Sequence, residues 1–294
     1  MSYLDKLVYS AQKTGSIACM GLDIVPELLP NDYKNMGISG AVPFIDKIFR
    51  EMSRQRVFPG AFKPNQGFYT AYDNLIDGKF DGSIALSKIL NLIKEYFPDI
   101  PIILDSKRGD IKKSSANYAK EGYVSCAADA VTVSPYMGSD SMNPFIDFCN
   151  ETENNGLYIL CRTSNKSAVD FQDLIDVETG LRLYEKVALK IVEWAEGHPG
   201  VGAVVGATSP QELGELAQRF AKERIPLLIP GVGSQGGSAE EVMEQLKEAE
   251  YEIPIVRINS SSRITSSWGK NPVPRDYVKV CVEKLYDLNK AIGF

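Results

Sequence analysis

Histidine is all but missing from this chain. His198 is the one histidine in 294 residues, and it precedes Pro199 in what reads as an exposed turn. That removes the usual proton shuttle of a nucleophilic triad and most zinc sites. Cysteine is scarce and unpatterned: Cys19, Cys126, Cys149, Cys161 and Cys281 are odd in number, make no Cys-x-x-Cys pair, and several fall in apolar strand-like or helix-like runs. They read as buried thiols in a reducing compartment rather than as a disulfide framework. No apolar run comes near the roughly 18 residues that suggest a bilayer span. Residues 1–9 carry Asp5 and Lys6 in an amphipathic pattern rather than a signal-peptide core, so the expectation is a cytoplasmic protein. Basic residues are outnumbered, 32 Lys and Arg against 38 Asp and Glu, and no Lys/Arg block stands out. The net charge of −6 argues against a nucleic-acid or anionic-membrane surface. A small anionic ligand stays open, because a local positive site needs only a few side chains.

What the chain has instead is alternation. Short apolar runs at 16–23, 57–62, 102–111, 130–134, 157–162, 203–206, 227–229 and 255–258 recur between amphipathic stretches. Near-continuous apolar runs are what strands buried on both faces of a parallel sheet require. Apolar residues at helical spacing predict helices over 41–54, 84–97, 114–125, 181–195 and 276–290. Ser209-Pro210-Gln211-Glu212 and Ser238-Ala239-Glu240-Glu241 read as capping boxes opening two more. The Pro-, Gly- and Asn-rich stretch 25–43 reads as a long loop. Eight strands alternating with helices, at 44% hydrophobic content, predict an α/β fold, a single (β/α)8 barrel domain over residues 1–294. An open doubly wound sheet is the competitor, but its Gly-x-Gly-x-x-Gly fingerprint after the first strand is missing.

The runs end in charge. Ile102-Ile103-Leu104-Asp105-Ser106-Lys107-Arg108-Gly109-Asp110-Ile111 begins as a buried strand and finishes with four charged residues. Such charges are tolerated at a strand end only where that end opens on a site or finds partners. A period of two puts Asp105 and Lys107 on one face, with Leu104 and Ser106 on the other. At about 4 Å and an effective dielectric near 20 their attraction is roughly 4 kcal/mol, enough to keep the amine protonated against burial. A strand-end salt bridge is the plain alternative. In a barrel the C-terminal strand ends form the active face, and Asp23, Lys63, Asp105, Lys107 and Arg263 collect there with Thr163 and Ser164. After the seventh run, Gly231-Val232-Gly233-Ser234-Gln235-Gly236-Gly237 lets backbone N–H groups approach an anion just before a helix N-terminus, where barrels commonly bind phosphate. Arg263 adds a guanidinium able to grip two oxygens. The spacing does not match a Walker loop, so a nucleoside triphosphate is not expected.

Asp105-Ser106-Lys107-Arg108-Gly109-Asp110-Ile111, taken in order with Gly21-Leu22-Asp23, Phe62-Lys63-Pro64-Asn65, Pro230-Gly231-Val232-Gly233-Ser234-Gln235-Gly236-Gly237 and Ser262-Arg263, resembles the orotidine 5′-phosphate decarboxylase family, in its longer bacterial branch, over residues 15–264. The Asp-x-Lys-x-x-Asp pattern alone is shared with sugar-phosphate enzymes of the same barrel superfamily. The resemblance implies a TIM barrel of the ribulose-phosphate-binding type and a homodimer with sites at the interface. It also implies orotidine monophosphate as a nucleotide substrate, decarboxylated to uridine monophosphate with no cofactor and no metal. It assigns Asp105 and Lys107 as the catalytic pair and Asp110 as a carboxylate lent across the interface, with Ile111 and Ser114 beside it. Asp23 and Lys63 go to the ribose, Thr163 or Ser164 to the pyrimidine edge, and Gln235 and Arg263, with the Gly231 and Gly233 turn, to the phosphate. Ser114 stands where many members have threonine, and Ser-Arg-Ile replaces the commoner Ser-Arg-Gly-Ile. Loss of CO2 from C6 leaves a carbanion that the ring cannot delocalise, and a fixed ammonium such as Lys107 is what that charge needs. Two other readings use the same residues. One is a Mg²⁺-dependent lyase or epimerase of a ketose phosphate, which needs a further metal-binding acid at a strand end; the other is a barrel that binds a nucleotide without turning it over.

Overall fold

The apolar runs pair edge to edge. A computed structural model of the chain describes residues 1–150, 154–233 and 236–294. In it β1 (Ala18–Gly21), β2 (Ala61–Lys63), β3 (Ile103–Arg108), β4 (Ala130–Val133), β5 (Gly156–Arg162), β6 (Val201–Val205), β7 (Leu227–Ile229) and β8 (Val256–Ser260) form one eight-stranded parallel sheet in the order β2-β1-β8-β7-β6-β5-β4-β3. The circle is completed where β2 meets β3, through parallel bridges at Phe62–Ile102 and Asn65–Asp105. There the Asp105 N–H donates to Pro64 O at 2.9 Å and the Gln66 N–H to Asp105 O at 3.1 Å. Strand residues are buried along their whole length except Leu160 and the last three of β3. The barrel therefore opens at the charged end of β3.

Helices Ala41–Gln55, Asp81–Tyr96, Lys112–Lys120, Ser139–Ile146, Leu183–Ala195, Pro210–Ala221 and Ala239–Glu248 connect successive strands, and Tyr277–Ile292 follows β8. Their apolar faces supply the outer half of the core. Phe49 and Phe97, for instance, meet Phe62 of β2 with ring centroids 5.1 and 5.2 Å away, close enough for aromatic packing. Among the described residues no helix is long and apolar enough to cross a membrane.

The first helix, α1 (Tyr3–Thr14), lies across the other end of the barrel. Ser2 and Asp5 cap it reciprocally, at 3.1 and 3.0 Å. Arg257, near the start of β8, is fully buried and finds backbone carbonyls rather than a carboxylate. It donates to Leu7 O of α1 at 2.7 Å, Gly60 O at 3.0 Å, Pro254 O at 2.9 Å and Val256 O at 2.8 Å. Burial pulls its pKa down. Tyr3 adds a hydroxyl contact to Tyr158 of β5 at 3.2 Å, so α1 is tied to both β5 and β8 at that end.

Several sequence expectations are corrected. The stretch 25–43 is not open loop: it holds the turns Pro26–Leu28 and Gly37–Gly40 and the short helix Asn31–Lys34, because Leu29, Tyr33 and Ile38 bury their side chains in the core. The second strand begins only at Ala61; just before it Gly60 passes so close to Ser16 O that a Cβ would sit 2.3 Å away. The helix expected from 114 starts at Lys112, and its last turn, Glu121–Ser125, is π-helical. Ser209 does not form the capping box, because Glu212 is drawn instead into a two-pronged pair with Arg162 at 2.6 and 3.1 Å. Ser238 does cap its helix, accepting from the Glu241 N–H at 3.3 Å. His198 is half-buried rather than exposed. All five cysteines are free thiols and four are buried; burial pushes Cys19 up to about 12.

Candidate active site

A cavity of about 670 Å³ opens at the C-terminal strand ends, large enough for a nucleotide. Asp23, Lys63, Asp105, Lys107, Thr163, Ser164 and Gly231 all line it. On its wall Asp105 is buried and receives a lysine on each oxygen: Lys63 Nζ on Oδ2 at 2.6 Å and Lys107 Nζ on Oδ1 at 2.5 Å. Asn65 Nδ2 approaches Oδ2 at 3.5 Å. Burial alone would raise the Asp105 pKa, but Lys63 and Lys107 together hold it well below the usual carboxylate range. For Lys63 burial works the other way, and the carboxylates of Asp23 and Asp105 outweigh it and lift the ammonium above its ordinary value. Lys63 is fully enclosed, whereas the Lys107 side chain is 47% exposed. Both line the cavity, and Lys107 is the more accessible of the two cations.

Lys107 does not get there by the simple alternation of a strand. The β3–β4 register shifts between Leu104 and Arg108, and Lys107 has φ of 46°, in the left-handed region that non-glycine residues rarely adopt. Such local strain persists only where the surroundings enforce it. Thr132 of β4 supplies the restraint: its Oγ1 accepts from the Ser106 N–H at 3.1 Å and the Lys107 N–H at 3.0 Å, and donates to Asp105 Oδ1 at 2.8 Å. The shared face expected for Asp105 and Lys107 is thus replaced by a bulge that turns the Lys107 side chain back onto the carboxylate.

The remaining candidates divide by place. Gly233 and Arg263 line an adjoining cleft of about 300 Å³, reached past Val232, which borders both spaces. A Cβ on Gly233 would lie 2.6 Å from Arg263 Cδ, and its φ of 88° favours glycine independently. Gln235 lies outside the described residues. Asp110, Ile111 and Ser114 do not line the cavity of their own chain. Asp110 Oδ1 accepts from the Ile111 N–H at 2.7 Å, and the Ile111 side chain is exposed at the rim. Thr163 is held by Gln172, whose Oε1 accepts the Thr163 N–H at 2.9 Å and whose Nε2 donates to Thr163 Oγ1 at 2.7 Å. Asp23 Oδ1 and Asn259 Oδ1 are buried without hydrogen-bond partners, in side chains that line the cavity. A buried acceptor without a partner is uncommon in a folded protein. Among the described residues no three His, Cys, Asp or Glu side chains are arranged to hold a metal ion.

Sequence reasoning missed Thr132, Asn259 and the contact of Asn65 with Asp105. Thr132 did leave a signal, as the lone hydroxyl in the buried run Ala130-Val131-Thr132-Val133. Asn259 left a weaker one, as a buried amide in a strand that also carries Arg257 and Ser260.

Comparison with known proteins gives the chain a family and relatives of similar length. The model of the orotidine 5′-phosphate decarboxylase / HUMPS family matches residues 61–273. An orotidine 5′-phosphate decarboxylase of Cellvibrio japonicus is 36% identical over 264 residues, covering 90% of this chain and 89% of that one. The solved OMP decarboxylase of Leishmania donovani superposes with a TM-score of 0.72 at 29% identity, covering 99% of this chain and 100% of that one. The UMP synthase of Leishmania donovani superposes with a TM-score of 0.74 at 30% identity, where this chain spans only 57% of the longer protein.

Proposed function

The chain belongs to the orotidine 5′-phosphate decarboxylase / HUMPS family, and from that premise we propose that it converts orotidine 5′-monophosphate to uridine 5′-monophosphate in pyrimidine biosynthesis, as a carboxy-lyase working through Lys107. The observation that carries the mechanism is the buried Asp105 carboxylate clamped between Lys63 and Lys107 on the cavity wall. The C6–carboxylate bond breaks, CO2 leaves, and the electron pair stays on C6. The Lys107 ammonium, held against Asp105, stabilises that pair and then transfers its proton to C6, to be reprotonated from solvent. Because the array is assembled before the substrate arrives, little reorganisation is needed as charge develops.

Other assignments are supported by the geometry, except that of Gln235, which rests on the family resemblance. Asp23 and Asn259 offer free acceptors to ribose hydroxyls beside Lys63. Ser164 takes the pyrimidine edge, since the Thr163 hydroxyl is already tied to Asn165 at 2.7 Å and to Gln172. The glycine turn, Gln235 and Arg263 take the phosphate. Asp110 serves the neighbouring subunit of a homodimer, a reading supported by its place outside its own cavity and by the exposed Ile111, Tyr136 and Met137 on loops after β3 and β4. The free, buried thiols suit the cytoplasm.

Lys107→Ala tests the central role. It is expected to abolish turnover of orotidine monophosphate while uridine monophosphate still binds, because the ammonium acts mainly on charge present in the transition state. More than a small residual fraction of wild-type turnover would remove Lys107 from that role.

A further inference from the structure

We propose that Thr132 is a positioning residue of this reaction, whose single hydroxyl sets both the orientation of Asp105 and the backbone turn that aims Lys107. A threonine hydroxyl has one hydrogen to donate and two lone pairs to accept with. Here all three are used. Both lone pairs are occupied by the consecutive N–H groups of Ser106 and Lys107, at 3.1 and 3.0 Å. The hydrogen is thereby directed to its remaining neighbour, Asp105 Oδ1 at 2.8 Å. That same oxygen receives Lys107 Nζ. Thr132, Asp105 and Lys107 therefore close a ring in which the lysine is held at its backbone by the hydroxyl and at its ammonium by the carboxylate that the hydroxyl orients.

The ring explains how Lys107 keeps a positive φ. Where β3 loses register with β4, the Ser106 and Lys107 amides turn to a side chain of β4 instead of its carbonyls. Thr132 is itself buried in the middle of β4, in register with Tyr158 of β5, so its hydroxyl is a fixed point rather than a mobile one. Without it the carboxylate keeps its two lysines but loses the donor that sets its plane, and the strained turn loses both acceptor contacts. Errors of an ångström in a reacting group cost rate far more than binding.

The inference rests on the decarboxylase reading for its kinetic part and on the geometry alone for the rest, and its test separates the two. Wild type, Thr132→Val, which keeps the shape and drops the hydroxyl, and Thr132→Ser, which keeps the hydroxyl, are compared in three measurements. Turnover of orotidine monophosphate by the wild type tests the reading itself. In Thr132→Val, kcat is expected to fall roughly 10–100-fold, with KM and the Kd for uridine monophosphate little changed, and Thr132→Ser is expected to restore kcat. Hydrogen exchange at the Ser106 and Lys107 amides, which needs no substrate, should accelerate roughly tenfold or more in Thr132→Val and stay slow in Thr132→Ser. Thr132→Ala is read in the same way should valine prevent folding. Unchanged exchange at both amides, retention of kcat without the hydroxyl, or a serine variant as impaired as the valine one would each overturn the proposal.

Discussion

Arg263 stands beside the glycine turn, in the cleft next to the main cavity, with Gly233 leaving the space its side chain occupies. If that cleft takes the phosphate, Arg263→Ala should weaken binding of uridine monophosphate by roughly 1.5–3 kcal/mol, the range for hydrogen bonds to charged groups, and leave uridine binding nearly unchanged. Isothermal titration with both ligands checks this, and equal losses would move Arg263 out of the phosphate site. At this scale the sequence disclosed which side chains gather but not how. Asp105, Lys107 and Lys63 were legible because charge at the end of an apolar run needs a reason to be there. Their arrangement was not: Lys63 proved to bond Asp105 directly, and Lys107 reaches it through a backbone bulge rather than by strand alternation. A bulge depends on which neighbour accepts two amides, and Thr132 lies 25 and 26 residues away from the groups it holds. No local pattern encodes a contact of that range.

Elements were easier where one force dominated. The eight apolar runs read as strands because they are too short for buried helices and alternate with amphipathic stretches, and pairing on both edges satisfies their backbones inside the core. Expectations failed where a side chain had a stronger partner elsewhere. Glu212 left Ser209 uncapped because the buried Arg162 guanidinium offers two charge-assisted bonds in place of one exposed backbone contact. The placement of α1 over the barrel end depends on a similar long-range partner, Arg257, whose charge is buried among carbonyls of α1, the turn before β2 and the start of β8. Two effects oppose each other there, the cost of burying a cation and the cost of orphaning the carbonyls it serves. The second should win, because four carbonyls on three separate segments share one donor group. Arg257→Met is therefore expected to lower stability by about 2–4 kcal/mol in denaturant melts. Its kcat should stay at the wild-type value, since the change lies at the end of the barrel away from the cavity. Equal or greater stability in the variant would mean that the buried charge costs more than its hydrogen bonds return.

At the scale of the whole molecule, Asp110 and Lys107 lie three positions apart yet face different spaces, Lys107 the cavity and Asp110 the rim. If the chain forms the proposed two-fold dimer through this rim, each rim meets its copy and its carboxylate is suited to complete the partner's site. Lys107→Ala and Asp110→Ala homodimers should then each be nearly inactive, while a mixed dimer holds one doubly damaged site and one intact site. Random exchange of equal amounts makes about half the dimers mixed, which puts recovered activity near a quarter of wild type. No recovery, with exchange shown by native mass spectrometry, would mean that Asp110 works within its own chain. The most direct test of the chemistry needs only the wild-type protein: the ultraviolet absorbance of orotidine monophosphate, followed after adding the purified chain in the presence of EDTA. Catalysis by the Lys63–Asp105–Lys107 array predicts complete conversion to the uridine monophosphate spectrum at the same rate with or without the chelator. A spectrum that does not change, or one that changes only when a divalent cation is restored, would contradict it.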